Sequence, residues 1–259
     1  MNFNRISASI YRGLVVARHP EALRLRRLGI KYEHYQELRQ PWLLDLNIET
    51  ILDVGANVGQ FATLAHAVFP SARIFSFEPL PDCFEQLKLR LPKNSQAFNM
   101  ALGDRNAEID FYRASSSPSS SFLRMNALHI ETFPESREGQ EASPIKVKVG
   151  KLDEIARDLE LADNILLKLD VQGYEDRVIS GGAETLKRVA VALVETSFLP
   201  IYDGQVLFAD VHELLFAAGF IFQGNLNQQF HPVDGRIVVA DSIFVRRNVA
   251  PENPRSSTA

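Results

Sequence analysis

The stretch Asp53-Val54-Gly55-Ala56-Asn57-Val58-Gly59 limits most strongly how this chain can fold. The apolar run Thr50 to Val54 leads into it, and Phe61 to Phe69, apolar at helical spacing, leads out. Glycines at a strand-to-helix turn let the backbone bend tightly and approach a ligand with no Cβ in the way. The next helix offers free N–H groups to a carboxylate or phosphate. In open α/β sheets, ligands sit beyond the carboxyl ends of the strands. One short string thus predicts a sheet, a helix layer and a binding crevice.

The same alternation continues along the chain. Strands are expected at Arg73–Phe77, Gln96–Asn99, Ala107–Arg113, Ile145–Val149, Asn164–Asp170 and Val189–Glu195, the last two near-continuous apolar runs suited to a sheet centre. Helices are expected at Asp82–Leu91, Leu152–Leu161, Tyr174–Leu186 (with Gly181-Gly182 inside or breaking it) and Phe208–Ala218. Phe220–Phe222 and Asp241–Val245 read as antiparallel closing strands. The fold class is α/β, with a doubly wound, mostly parallel sheet. Residues 1–47, punctuated by Pro20 and Pro41, read as an N-terminal helical cap, 48–247 as the binding domain, and 248–259 as a disordered tail. Ser115 to Ser121 is a Ser/Pro run, either a tolerated insertion or a lid over the site.

Composition narrows the partners. The net charge of −4 lacks the basic excess of a protein that grips a nucleic-acid backbone, so no nucleic-acid partner is expected. A local basic run, Arg18, Arg24, Arg26, Arg27 and Lys31, is either the solvated face of a helix or a patch for an anionic membrane surface or a phosphorylated substrate. No apolar run approaches the roughly 18 residues of a transmembrane segment, and no signal-peptide core precedes residue 18. The lone cysteine, Cys83, excludes an intrachain disulfide and fits a cytoplasmic location.

Glu78 ends the second strand, about 20 residues beyond the glycine turn, where a carboxylate accepts hydrogen bonds from ribose hydroxyls. A pyrophosphate site wants G-x-G-x-x-G, whereas Gly55 is followed by Ala, Asn and Val before Gly59. That spacing suits a nucleoside ligand without phosphates, and S-adenosylmethionine is one. A nicotinamide-dependent oxidoreductase and a non-catalytic nucleotide-binding module on the same fold remain as alternatives.

Several strings together resemble the FkbM family of S-adenosylmethionine-dependent methyltransferases. Asp53 to Gln60 resembles its first motif, Ser76-Phe77-Glu78-Pro79 its ribose motif, and Asn99-Met100-Ala101-Leu102-Gly103-Asp104 the segment near the adenine. Leu167-Lys168-Leu169-Asp170-Val171-Gln172-Gly173-Tyr174-Glu175 resembles its most distinctive string, and the match runs from about residue 50 to 246. The resemblance implies the seven-stranded Rossmann-like methyltransferase sheet. It implies cofactor contacts from Asp53, Gly55, Asn57, Gly59, Gln60, Glu78, Pro79, Asn99, Ala101 and Asp170.

Asp170, Glu175 and Glu195 are the candidate catalytic residues. Asp170 ends a strand and points into the crevice, to bind the cofactor's ammonium, orient the acceptor, take its proton or cap the next helix. Glu175 serves either the chemistry or the first turn of that helix. Glu195 closes a neighbouring apolar strand, a costly place for a carboxylate without a partner. Together the three could hold a hard cation such as Mg²⁺ through oxygen ligands, but no residue is assigned as a metal ligand. His212 and His231 read as structural or exposed, and Tyr202 as either packing or pocket lining. The chain has no Asn/Asp-Pro-Pro-Tyr/Phe string of the kind that marks methylation of planar nitrogens, and Cys83 lies away from the crevice. O-methylation is what remains. The resemblance implies hydroxyls of sugars, polysaccharides or polyketide-like small molecules, with a glycan hydroxyl preferred.

Overall fold

A computed structural model describes residues 19, 21–136 and 143–249. The part of the expected cap before residue 19, and the tail from residue 250, lie outside the described residues. Three short helices come first: α1 (Glu21–Arg27), α2 (Tyr32–Leu38) and α3 (Pro41–Leu44). Then follow β1 (Thr50–Val54), α4 (Gln60–Val68), β2 (Arg73–Phe77), α5 (Pro81–Arg90), β3 (Gln96–Phe98), β4 (Ala101–Leu102) and β5 (Ala107–Phe111). After α6 (Ala127–Thr132) come β6 (Ile145–Gly150), α7 (Leu152–Ala156), β7 (Ile165–Leu169), α8 (Glu175–Gly181), β8 (Val189–Ser197), α9 (Phe208–Ala217), β9 (Phe220–Phe230) and β10 (Ile237–Arg246).

Seven strands form one sheet in the order β3-β2-β1-β7-β8-β10-β9. β3, β2, β1, β7 and β8 pair in parallel, and β10 runs antiparallel to both β8 and β9. This is the doubly wound, mostly parallel sheet expected. Strand alternation assigns each residue to a face. Leu52, Val54, Leu167, Leu169, Ala192, Val194 and Phe244 face a core shared with Val178 and Ile179 of α8 and Val211 and Leu215 of α9. Ile51, Leu166, Val191, Leu193 and Ile243 face the opposite core, closed by Ala62 and Ala65 of α4 and by Leu38 and Leu43 of the N-terminal helices. On this second face the residues nearest the carboxyl ends switch from apolar to charged: Asp53 and Lys168, then Asp170, Glu195 and Asp241. The N-terminal helices therefore lie on the face that carries these charges.

Four local readings change. β5 and β6 leave the main sheet and join β4 in a three-stranded sheet. The helix from Leu152 stops at Ala156, and the chain continues in tightened turns, with Asp158 N–H donating to Ile155 O at 3.1 Å. α8 ends at Gly181 and a 3₁₀ turn, Thr185–Arg188, replaces its second half. A Cβ on Gly181 would lie 1.9 Å from Gly103 O, so the helix is glycine there because another backbone lies against it. The closing strands are far longer than their apolar cores, because β9 is a sheet edge whose Gln223 to Gln229 stretch needs little burial.

Candidate active site

The Gly55 turn is the anchor. Gly55 has φ +83°, and a Cβ there would sit 1.8 Å from the carbonyl oxygen of Asp170. The end of β7 therefore lies directly against the end of β1. Asn57, also at positive φ, donates its N–H to Glu78 Oε2 at 2.8 Å, and Leu80 N–H donates to Glu78 Oε1 at 2.7 Å. The buried Glu78 carboxylate is thus fixed by two loops. Each oxygen keeps a further lone pair for the two hydroxyls of a ribose. Burial pushes the Glu78 carboxyl up to about 7, against the two backbone hydrogen bonds that hold it down. Asn99 supports this corner from behind, its Nδ2 donating to Glu78 O and Pro79 O, both at 3.0 Å.

A cavity of about 240 Å³ opens over this corner. Of the expected cofactor residues, Asp53, Gly55, Asn57, Gln60, Glu78, Pro79, Ala101 and Asp170 line it, whereas Gly59 and Asn99 do not. The lining also includes Leu80, Leu102, Phe111, Phe122 and Lys168, which sequence reasoning did not single out. The Ser/Pro run lies across the cavity: Ser117, Pro118 and Ser120 line it, and Asn57 Nδ2 donates to Ser117 Oγ at 3.2 Å. Ser121 Oγ donates to Gln172 O at 2.6 Å, and Tyr202 OH shares its single proton between Ser119 O at 2.9 Å and Gln172 Oε1, so with the Ser117 contact the run is tied to the site near both ends.

Next to it lies a charged cluster. Lys168 is buried, and its Nζ donates to Asp170 Oδ2 at 3.3 Å and to Asp241 Oδ1 at 3.2 Å. Burial alone would lower the Lys168 ammonium, but Asp170, Asp241 and Glu195 outweigh it and hold the group above its ordinary range. Gln172, at φ +55°, donates from Nε2 to both Asp170 and Glu195 and accepts from Tyr202 OH at 2.7 Å through Oε1. Burial, then the charge of Asp170, pushes the Glu195 carboxyl well above its usual range. Asp53 is buried beneath, accepts from Ser76 Oγ at 3.0 Å, and is pushed by burial up to about 7.

The three candidate catalytic residues do not all converge. Asp170 and Glu195 share Gln172, but Glu175 is turned to the backbone of the 170–174 loop, accepting from Val171 N–H at 3.3 Å and Gly173 N–H at 3.2 Å. The Mg²⁺ suggestion does not fit: Glu175 faces away, and a lysine ammonium already sits between Asp170 and Asp241. Among the described residues no group of three or more His, Cys, Asp or Glu side chains is arranged to hold a metal ion. His231 is buried against Glu131 and Asp234, and His212 stacks near Phe208 and Phe216, both outside the cavities. Among the described residues no helix is long and apolar enough to cross a membrane.

The sequence is similar to those of known methyltransferases. The profile of the Methyltransferase FkbM domain matches residues 53–222. The chain is 30% identical over 181 residues to the 2-O-methyltransferase NoeI of Sinorhizobium fredii, covering 67% of this chain and 73% of that protein. It is 28% identical over 150 residues to the hexuronic acid methyltransferase AglP of Haloferax volcanii, covering 57% of this chain and 55% of that protein. A crystal structure of Methyltransferase FkbM from Methylobacillus flagellatus superimposes at TM-score 0.45 with 13% identity, over 82% of this chain and 50% of that one.

Proposed function

The chain belongs to the Methyltransferase FkbM domain family, and from that premise we propose that it transfers the methyl group of S-adenosylmethionine to a hydroxyl of a sugar or glycan-like acceptor. One observation carries the reading. The cavity beside Glu78 and a second, larger cavity of about 740 Å³ meet at Asp170, Lys168, Gln60 and Phe61. The second is within the range of about 300–1,000 Å³ typical of small-molecule sites. Asp170 stands where the two join, and Glu195 lines the larger one beside it. The 2-O-methyltransferase NoeI supports transfer to an oxygen, and the hexuronic acid methyltransferase AglP supports a sugar-type acceptor.

When bound, S-adenosylmethionine supplies an electrophilic methyl group on a sulfonium. Glu78 accepts from the ribose, and Gly55 lets the end of β7 close against the turn beside it. Asp170 and Glu195 orient the acceptor hydroxyl and take its proton. Gln172 bridges the two carboxylates, so they act as a pair rather than as separate bases. Lys168 fixes the position of Asp170, and Glu175 positions the loop that carries Gln172. The surrounding side chains hold the hydroxyl in line, which lowers the entropic part of the barrier to a bimolecular displacement.

Two measurements test this reading. S-adenosylhomocysteine should bind the purified protein with micromolar affinity, and mass spectrometry of a panel of sugars incubated with S-adenosylmethionine should show a gain of one methyl. Binding without methylation of any hydroxyl would leave a cofactor-binding module. Glu78→Ala should weaken S-adenosylhomocysteine binding by roughly tenfold to a hundredfold, the worth of one or two hydrogen bonds to a charged group. Wild-type affinity should also fall as pH drops below about 7, because protonation removes an acceptor from the Glu78 carboxylate. An unchanged dissociation constant in the variant would remove Glu78 from the ribose site.

A further inference from the structure

The larger cavity has two chemically different ends. Its floor is the strand-end cluster of Asp170, Glu195 and Asp241, already compensated by Lys168. Its outer wall brings together Arg27, Lys31 and His34 from the N-terminal helices and Arg90 from the end of α5. Arg27, Lys31 and Arg90 are exposed and make no ion pair among the described residues. Glu37 is the acidic member of this wall; it is half-buried and burial raises its carboxyl. Arg24 and Arg26 belong to the same basic run yet do not line the cavity. The run is therefore divided: part of it faces this opening, where Arg90, distant in sequence, joins it. A merely solvated helix face gives no reason for that meeting, least of all in a chain of net charge −4.

We propose that Arg27, Lys31 and Arg90 form a cationic clamp for an anionic group, a carboxylate or a phosphate, on the acceptor. The inference rests on the reading that the larger cavity receives the acceptor. The clamp holds the anion at the mouth, and the hydroxyl to be methylated reaches inward to Asp170. Asn227 and Gln229 of the edge strand line the same cavity and supply neutral donors and acceptors for a sugar's remaining hydroxyls. An arginine or lysine paired with an anion here also steers charged acceptors into the site, and that effect weakens with salt.

The test uses the full chain saturated with S-adenosylhomocysteine and three probes: methyl glucoside, methyl glucuronide and glucose 6-phosphate. Calorimetric titration should show at least one anionic probe binding about tenfold more tightly than the neutral glucoside, with the advantage shrinking at high salt. The ordering of glucuronide and phosphate identifies which anion the clamp takes. The triple variant Arg27→Gln, Lys31→Gln, Arg90→Gln should lose that advantage while keeping its affinity for S-adenosylhomocysteine. Equal binding of neutral and anionic probes, binding of none, or an anionic advantage that survives the triple change would overturn the clamp. Those outcomes leave the methyltransferase reading standing, because that reading fails only if S-adenosylhomocysteine itself does not bind or no hydroxyl is methylated.

Discussion

Replacing Lys168 with methionine is expected to destabilise the folded protein by about 3 kcal/mol at pH 8, a fall in Tm of roughly 6–12 °C for a chain of this size. The ammonium is buried between Asp170 and Asp241. Methionine fills a similar volume but leaves those carboxylates, and Glu195 beside them, without a countercharge. The figure sits at the low end for a broken buried pair, because the side chains of Asp170 and Asp241 keep 33% and 29% of their exposure. The loss should shrink towards pH 5. The Glu195 carboxyl, raised in the folded state, binds more protons there than in the unfolded chain, so the stability that depends on it falls as pH rises, most where no ammonium opposes its charge. Thermal melts of both proteins at pH 5 and pH 8 check this. A loss that is larger at pH 5, or no loss at either pH, would show that Lys168 does not neutralise the cluster.

Asp170→Asn should lower kcat by about 10² to 10⁴, the usual worth of a positioned proton acceptor. The substitution keeps shape and removes charge. The protein should stay folded, and affinity for S-adenosylhomocysteine should move only severalfold, since Gly55 and Glu78 remain. A split of this kind, with turnover lost and cofactor binding kept, separates a role in the chemistry from a role in holding the cofactor. Activity within threefold of wild type would place the proton elsewhere, and Glu195→Gln would then be the variant to measure.

The features legible in the sequence were those that local pattern encodes. Apolar runs located β1, β2, β7 and β8, the glycine string located the turn, and the strand ends located Glu78, Asp170 and Glu195. Lys168 shows what local pattern leaves out. It stands inside Ile165–Leu169, where the rest of the strand is apolar. Its meaning lies in Asp241, on a strand that approaches only through the antiparallel register Asp241 to Glu195. A signal was nevertheless present: a buried lysine in an apolar strand is costly unless paired, so a carboxylate within its reach was required. Glu175 illustrates the reverse. Its place in the motif suggested chemistry, but a carboxylate two residues after Gly173 reaches the loop's own N–H groups first. The lengths of β9 and β10 were hidden because an edge strand carries polar residues that no alternation marks.

The contact between Gly55 and the Asp170 carbonyl makes the nucleoside turn and the reacting end of β7 mechanically one part. Any side chain at residue 55 would push that carbonyl away, and the aspartate with it. Defects in the turn should then surface as slow turnover even when the bound cofactor is saturating, rather than as a simple loss of affinity. For anyone redesigning acceptor choice, the workable positions are elsewhere: on α1, α2 and β9, which border the larger cavity without touching this joint.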